Sequence, residues 1–508
     1  MPYPNYYRNT YSPRRGSPRR RRQLFFQKLL RVLGILLLFL VLLFLLWKGG
    51  SFLLDRFGLP VPGKGAVSGQ TAADSALDPG PAAGSDAGSE AGSELFAAGE
   101  GSTEFSDART SLTDAAQPED ILAEASRMAA GYDYDSAIGL LRSCTAEDPE
   151  GKLASAITEY EANRAALRPV DLSRVTHVFF HPLIMDESKA FDGEYTEKGY
   201  NQVMTTREEF LKILQSMYDR GFVLVRLHDM AEEAEADGVT RMVKKEILLP
   251  EGKQAFVLSE DDVCYYDYME GDGFASRMII GEDGYPTCEM KLADGSTVTG
   301  SYDLVPILED FIREHPDFSY RGARGVLAFT GYQGILGYRT ASSYQETSPS
   351  YEEDRKAAAA VAACLREHGW ELASHSWGHR DLGNIEYASF QSDCDKWEEE
   401  VESLIGPTDI ILFPFGADVG TWHPYSEDNT RYQYLHELGF RYFCNVDSSQ
   451  YWVQFGSDYL RQGRRNLDGY RMWRDIVSEE EGSSRKLEDL FHAEDVFSPN
   501  RPTPVEWN

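Results

Sequence analysis

No two of the six cysteines (Cys144, Cys264, Cys288, Cys364, Cys394, Cys444) form a C-x-x-C pair, so a zinc ribbon is not indicated. Basic residues are scarce: 50 Lys and Arg face 82 Asp and Glu, a formal net charge of −32. That balance argues against nucleic acid as a partner, because phosphate binding needs clustered Lys and Arg. No phosphate-cradling loop and no rim cluster of Arg is evident, which disfavours a phosphoesterase. Acids are missing from residues 1–31, where nine basic residues stand alone. Every charge is missing from Val32 to Trp47.

The last two absences belong together. Val32–Trp47 is mostly Leu, Phe and Val, Lys48 can snorkel, and Leu53 and Leu54 extend the run. This is slightly short for the roughly 20 residues of a bilayer core, yet longer than a usual signal-peptide core. No small-x-small cleavage site follows closely. Arg and Lys on the amino side predict a single-pass membrane protein with a cytoplasmic N-terminus and the rest outside, the lipid bilayer being one partner. On this reading residues 1–28 are a disordered basic tail, 29–54 the transmembrane helix, and 55–116 a flexible acidic linker rich in Gly, Ala and Ser. Outside the membrane Cys264–Cys288 and Cys364–Cys394 are conceivable disulfides, with buried free thiols as the other reading.

Hydrophobic residues make up 42% of the chain, enough for a real core. Residues 117–169 predict a helical stalk, opened by Pro118-Glu119-Asp120, with a segment like one tetratricopeptide unit in AAGYDYDSAIGLL. From about residue 170 short β-rich runs alternate with helical stretches. The predicted strands are Val175–Phe180, Phe222–Leu227, Ala255–Leu258, Gly325–Phe329, Trp370–Ser374, Ile410–Phe413 and Arg441–Val446. Seven strands alternating with helices point to an α/β fold, a parallel sheet or barrel. Such folds place their chemistry in loops after the carboxyl ends of strands. Ser259–Asp262, Thr330–Arg339, His375–His379, Pro414–Asp418 and Asp447–Trp452 should therefore meet at one rim.

Three of these loops carry chemistry-bearing residues. Asp261 and Asp262 are adjacent carboxylates at a strand end, which repel each other unless something cationic sits there. His375-Ser376-Trp377-Gly378-His379 follows the strand WELAS, and histidines four apart can converge on one face of a turn. Two histidines and a carboxylate are a divalent-metal set that leaves positions open for water and substrate. Leu412-Phe413-Pro414-Phe415-Gly416 is a fixed turn carrying aromatics, which suit sugar rings.

In this order the groups resemble the polysaccharide deacetylase family (NodB homology, carbohydrate esterase family 4), over roughly residues 170–500. The family's T-F-D-D-G reads here Ser259-Glu260-Asp261-Asp262-Val263, its H-[S/T]-x-x-H reads His375-Ser376-Trp377-Gly378-His379, and its R-x-P-[Y/F] reads Leu412-Phe413-Pro414-Phe415. A weaker echo of D-x-x-D-W is Asp447-Ser448-Ser449 with Trp452. The resemblance implies a distorted (β/α)7 barrel in which Asp262, His375 and His379 ligate a divalent metal ion, zinc first among the choices. It implies Asp261 as general base and Pro414 and Phe415 as groove residues. The family's third-motif Arg is Leu412 here; Arg339, Arg464 and Arg465 are candidates to replace it. Its late Leu-x-His acid has no match, and His492 and His423 are the candidates. An insertion, residues 263–301, is expected to form a β-hairpin flap over the site; residues 501–508 are a C-terminal tail.

The reading is a metal-dependent N-deacetylase of a cell-envelope or extracellular amino-sugar polysaccharide, with the N-acetylated polymer as substrate. The alternative is a catalytically degenerate deacetylase-like domain that binds glycan or serves a structural role.

Overall fold

The computed structural model describes residues 118–507 apart from 146, 147, 149 and 448. The expected basic tail, membrane span and acidic linker lie outside the described residues. Among the described residues no helix is long and apolar enough to cross a membrane.

Seven parallel strands close into a ring: β1 (Thr176–Phe180), β2 (Gln254–Glu260), β3 (Val326–Phe329), β4 (Glu371–Ser374), β5 (Ile410–Leu412), β6 (Tyr442–Val446) and β7 (Leu460–Asn466). Each strand pairs with the next in the chain, and β7 returns to β1 with Arg464 opposite His177. Phe222–Leu224 stands outside the ring. It pairs with the first residues of β2, while β3 pairs with the last ones on the same edge. So six of the seven expected strands form the ring, and the seventh place belongs to Leu460–Asn466.

Helices cover the outside. Arg207–Asp219, Leu304–Glu314, Tyr351–Glu367, Tyr387–Trp397 and Thr430–Leu438 fill the connections from β1 to β6, and Gly469–Ile476 follows β7. The β6–β7 connection has no helix, only the short strand Val453–Phe455 pairing antiparallel to β7, which distorts the barrel there. Arg207–Asp219 opens on a capping box in which Thr206 and Glu209 satisfy each other's backbone N–H.

The pleat sorts side chains between two apolar layers. Phe256, Leu258, Leu327, Phe329, Ile411 and Phe413 point outward to the helices. Val257, Ala328, Ala373, Leu412 and Cys444 point into the barrel. That inner layer is continuous with Ile121, Ala125, Ile138, Leu141 and Leu153 of three helices, Pro118–Ala130, Tyr134–Ser143 and Lys152–Ala166. A backbone bond from Arg321 N to Gly131 O and one from the Tyr132 hydroxyl to Asp317 O dock the first of these.

Of the two readings of the cysteines the free-thiol one holds, and the expected flap is corrected. All six cysteines are free thiols; Cys264 faces Thr330 and Cys364 faces the Gly284 carbonyl, so neither conceivable disulfide forms. The insertion is a three-stranded antiparallel sheet (Arg277–Ile280, Pro286–Lys291, Thr297–Gly300) rather than a hairpin flap. Its Met278 and Cys288 pack into the outer layer of the barrel, so it braces helices instead of covering the site. Its first residues, Cys264 to Tyr268, lie at the rim, and Met278 N bonds to the Leu336 carbonyl of the neighbouring rim loop at 3.0 Å.

Candidate metal centre

Asp261 and Asp262 follow β2 directly. Asp261 is buried, 2% exposed, with its amide bonded to the Phe180 carbonyl at 2.9 Å. Asp262 has φ 58°, a left-handed conformation that a side chain rarely adopts. The turn between them sends the two carboxylates in different directions.

His375 follows β4 and is 1% exposed. Its Nδ1 lies 2.7 Å from the Leu412 carbonyl. A carbonyl only accepts, so Nδ1 carries the hydrogen and Nε2 of the neutral ring presents a lone pair. Burial keeps the ring neutral, holding its pKa below the usual histidine value against the opposing pull of Asp261 and Asp262. His379 reaches the same point through a backbone that turns left-handed at Ser376 (φ 58°) and His379 (φ 48°). Asp393 holds this turn by accepting from the amides of Trp377 and Gly378 at 2.8 and 2.9 Å, and Glu400 accepts from the Trp377 indole at 3.0 Å.

One ligand atom each from Asp262, His375 and His379 lies within 4.8 Å of the others. Asp262 Oδ2 is 3.6 Å from His379 Nε2, and Asp261 Oδ2 is 3.8 Å from His375 Nε2. At these separations nothing is hydrogen-bonded. Lone pairs and carboxylates converge with no hydrogen between His375 and the acids, an arrangement that a divalent cation would neutralise. The donor set fits zinc, which takes imidazole and carboxylate and tolerates open positions.

The other Asp261 oxygen is held by a residue 203 positions away. Arg464 Nη1 donates to Asp261 Oδ1 at 2.6 Å. Arg464 is fully buried inside the barrel, lies over the Phe179 ring at 4.4 Å, and also donates to Ser259 Oγ at 3.3 Å. Ser259 in turn lies 2.9 Å from His177 Nε2. Burial alone would raise the Asp261 pKa; Arg464 and His375 outweigh it and hold the carboxyl far below the usual range. Of the three arginine candidates, Arg464 is the one paired with Asp261. Arg465 points away to Asp489 at 2.8 Å, and Arg339 pairs with Asp267 at 2.6 Å.

Pro414 is buried in the turn after β5, whereas Phe415 (φ 58°) is 72% exposed and meets the His379 ring edge-on at 4.5 Å. His492 is bonded to Glu488 and His423 stacks on Trp422; no described contact joins either to the acids or histidines of the rim. Asp447 caps its own turn, accepting from the Ser449 amide at 2.6 Å. Another histidine does reach the site. His181 follows β1, its Nδ1 donates to the Val203 carbonyl at 3.1 Å, and it is close enough for its charge to pull down the pKa of both Asp261 and Asp262. Its position at a strand end was the one signal in the sequence that could have found it.

No protein-family model matches the sequence, and no curated protein matches it. Two solved structures resemble the chain. One is the Streptococcus pyogenes deacetylase PplD in complex with acetate, 12% identical, covering 59% of this chain and 93% of that one with a TM-score of 0.30. The other is BA0330 of Bacillus anthracis, assigned as a polysaccharide deacetylase, 11% identical, covering 59% of this chain and 65% of that one with a TM-score of 0.31.

Proposed function

We propose that this chain is a divalent-metal-dependent N-deacetylase that hydrolyses acetamido groups of an amino-sugar polysaccharide. The observation that carries the reading is the convergence of Asp262, His375 and His379 beside a separate carboxylate, Asp261, clamped by Arg464. When bound, the metal supplies Lewis acidity, lowering the pKa of a water towards about 7 and polarising the acetyl carbonyl.

The residues divide the remaining work. Arg464 occupies Asp261 Oδ1, which leaves Oδ2 facing the rim to accept a proton from the attacking water. As the water oxygen bonds to the acetyl carbon, the carbon–nitrogen bond breaks and the amine must gain a proton. We assign its delivery to His181, whose Nδ1–H is engaged with the Val203 carbonyl, so that the protonated ring would give up its Nε2 hydrogen and be left neutral. Acetate and a free amine leave. The exposed ring of Phe415 beside His379 offers an apolar face to a sugar ring. The reading extends to a location outside the cell, with residues 1–116 as anchor and tether that let the barrel reach envelope or extracellular polymers.

The test is acetate release by the purified full-length chain, loaded with zinc, from a panel of N-acetylglucosamine polymers. Release by the wild type, lost in Asp261→Asn with zinc retained, is the expected result. Zinc binding with no acetate from any polymer would favour a glycan-binding domain without turnover.

A further inference from the structure

Asp262 presents its two oxygens to different surroundings. Oδ2 faces His379, while Oδ1 accepts a hydrogen bond from the Tyr266 hydroxyl at 2.6 Å. The same hydroxyl lies 2.7 Å from Thr330 Oγ1, which lies 3.2 Å from Cys264 Sγ. Hydrogen counting gives this chain a direction. A carboxylate accepts, so the single Tyr266 hydrogen goes to Asp262; Thr330 must then donate to Tyr266, and the Cys264 thiol is left to donate to the Thr330 hydroxyl or to the Thr330 carbonyl at 3.7 Å. Three buried groups from two loops thus aim one donor at one carboxylate oxygen.

The Tyr266 ring is held as firmly as its hydroxyl. It is 4% exposed and stacks against Tyr268 at 5.5 Å and Tyr332 at 5.2 Å, with interplanar angles of 18° and 21°. Tyr332 is itself anchored to the histidine motif, its amide bonded to the Trp377 carbonyl at 3.0 Å.

We propose that Tyr266 is a positioning residue that restricts Asp262 to a one-oxygen metal ligand, and that Tyr266, oriented by Thr330, thereby favours zinc over larger divalent ions. The inference rests on Asp262, His375 and His379 being the metal ligands. With Oδ1 occupied, the carboxylate contributes one donor to two imidazoles, a low-coordination set that suits zinc. Freed of Tyr266, the carboxylate can turn both oxygens to the ion. That raises the oxygen count and suits ions with more oxygen ligands, such as manganese.

The experiment titrates Zn2+ and Mn2+ separately into the metal-free full-length chain by calorimetry, for wild type, Tyr266→Phe and Thr330→Val. Visible absorption of bound Co2+ reads the coordination number. Tyr266→Phe should weaken zinc roughly 10- to 100-fold, as loss of an outer hydrogen bond to a ligand typically does. Its manganese affinity should change less, and its Co2+ spectrum should shift to higher coordination. Thr330→Val, which leaves the Tyr266 hydroxyl in place, should move zinc affinity in the same direction by less. Zinc affinity equal to wild type in Tyr266→Phe would overturn the proposal, as would an equal loss for both ions with an unchanged Co2+ spectrum. If Tyr266→Phe fails to fold, an unchanged zinc affinity in Thr330→Val overturns it. A wild-type chain that binds neither ion would instead overturn the ligand assignment itself.

Discussion

At the scale of single residues, the Asp261–Arg464 pair decides how the rim behaves. Both side chains are buried, so removing one leaves the other as an uncompensated charge, which costs about 3–5 kcal/mol. Arg464→Met should therefore lower folding stability by about that amount, measured by denaturant unfolding, and abolish acetate release. Adding Asp261→Asn to Arg464→Met should recover part of the stability, because the stranded charge is gone; a double variant no more stable than Arg464→Met would contradict the pairing. His181 makes a different prediction. His181→Gln should retain zinc and fold normally while acetate release falls by roughly 10²- to 10⁴-fold, the usual worth of a positioned proton donor. Full activity in that variant would place the donor elsewhere. The legibility of these residues differs for a physical reason. Asp261-Asp262 and His375…His379 are short-range patterns, visible because chain neighbours share a turn. Arg464 lies 203 residues from its partner and was only one of three candidates. His181 has no patterned neighbour at all.

At the scale of elements, β7 was the strand the sequence concealed. LRQGRRN reads as polar surface, yet residues Leu460 to Arg465 are buried. Gln462 donates to the Val175 carbonyl at 2.8 Å, Arg461 pairs with Asp418 at 2.7 Å and Arg465 with Asp489, so ion pairs and hydrogen bonds replace the apolar run that marks the other strands. The hairpin Ala231–Ala236 with Val239–Lys244 was missed for the opposite reason. Its Asp237-Gly238 turn, both residues at positive φ, is a strong hairpin signal, but AEEAEA has the composition of a helix. A third feature links elements at the end of the barrel where the strands begin. His228 bonds through Nδ1 to Glu371, the first residue of β4, and through Nε2 to Asp409, next to β5, at 3.0 Å. Burial alone would lower the His228 pKa; the two carboxylates, Asp409 first, outweigh it and raise it to about 10. A histidine raised above its unfolded value of about 6.5 stabilises the fold fully below that pH and loses the contribution as pH climbs to 10. Unfolding free energy should thus fall between pH 6.5 and 10 by an amount on the order of a few kcal/mol, and the slope should flatten in His228→Gln. Parallel pH curves for the two proteins would contradict the assignment.

At the scale of the whole molecule, the alternation of apolar runs and helical stretches was enough to read an α/β sheet or barrel, and the rule that chemistry follows strand ends brought the right loops together. Four of the five loops expected at the rim contribute to it: Asp261 and Asp262, Thr330 and Tyr332, the histidine turn, and Phe415. The described residues of the Asp447 loop contact the barrel wall instead, as where Thr176 Oγ1 donates to the Gln450 carbonyl at 3.2 Å. The insertion defied reading because a Gly- and Asp-rich sequence fixes turns but not the surface they pack against; Met278 and Cys288, its buried residues, join the outer layer. The barrel thus presents one rim at which Asp262, His375 and His379 converge beside Asp261, clamped by Arg464. The proposed metal-dependent deacetylation is tested by following acetate release from an N-acetylglucosamine polymer before chelation, after removal of bound metal, and after zinc is restored. Release should vanish on stripping and return with zinc in the wild type, but not return in His375→Ala. Release that survives stripping, or that zinc restores equally in His375→Ala, would contradict it.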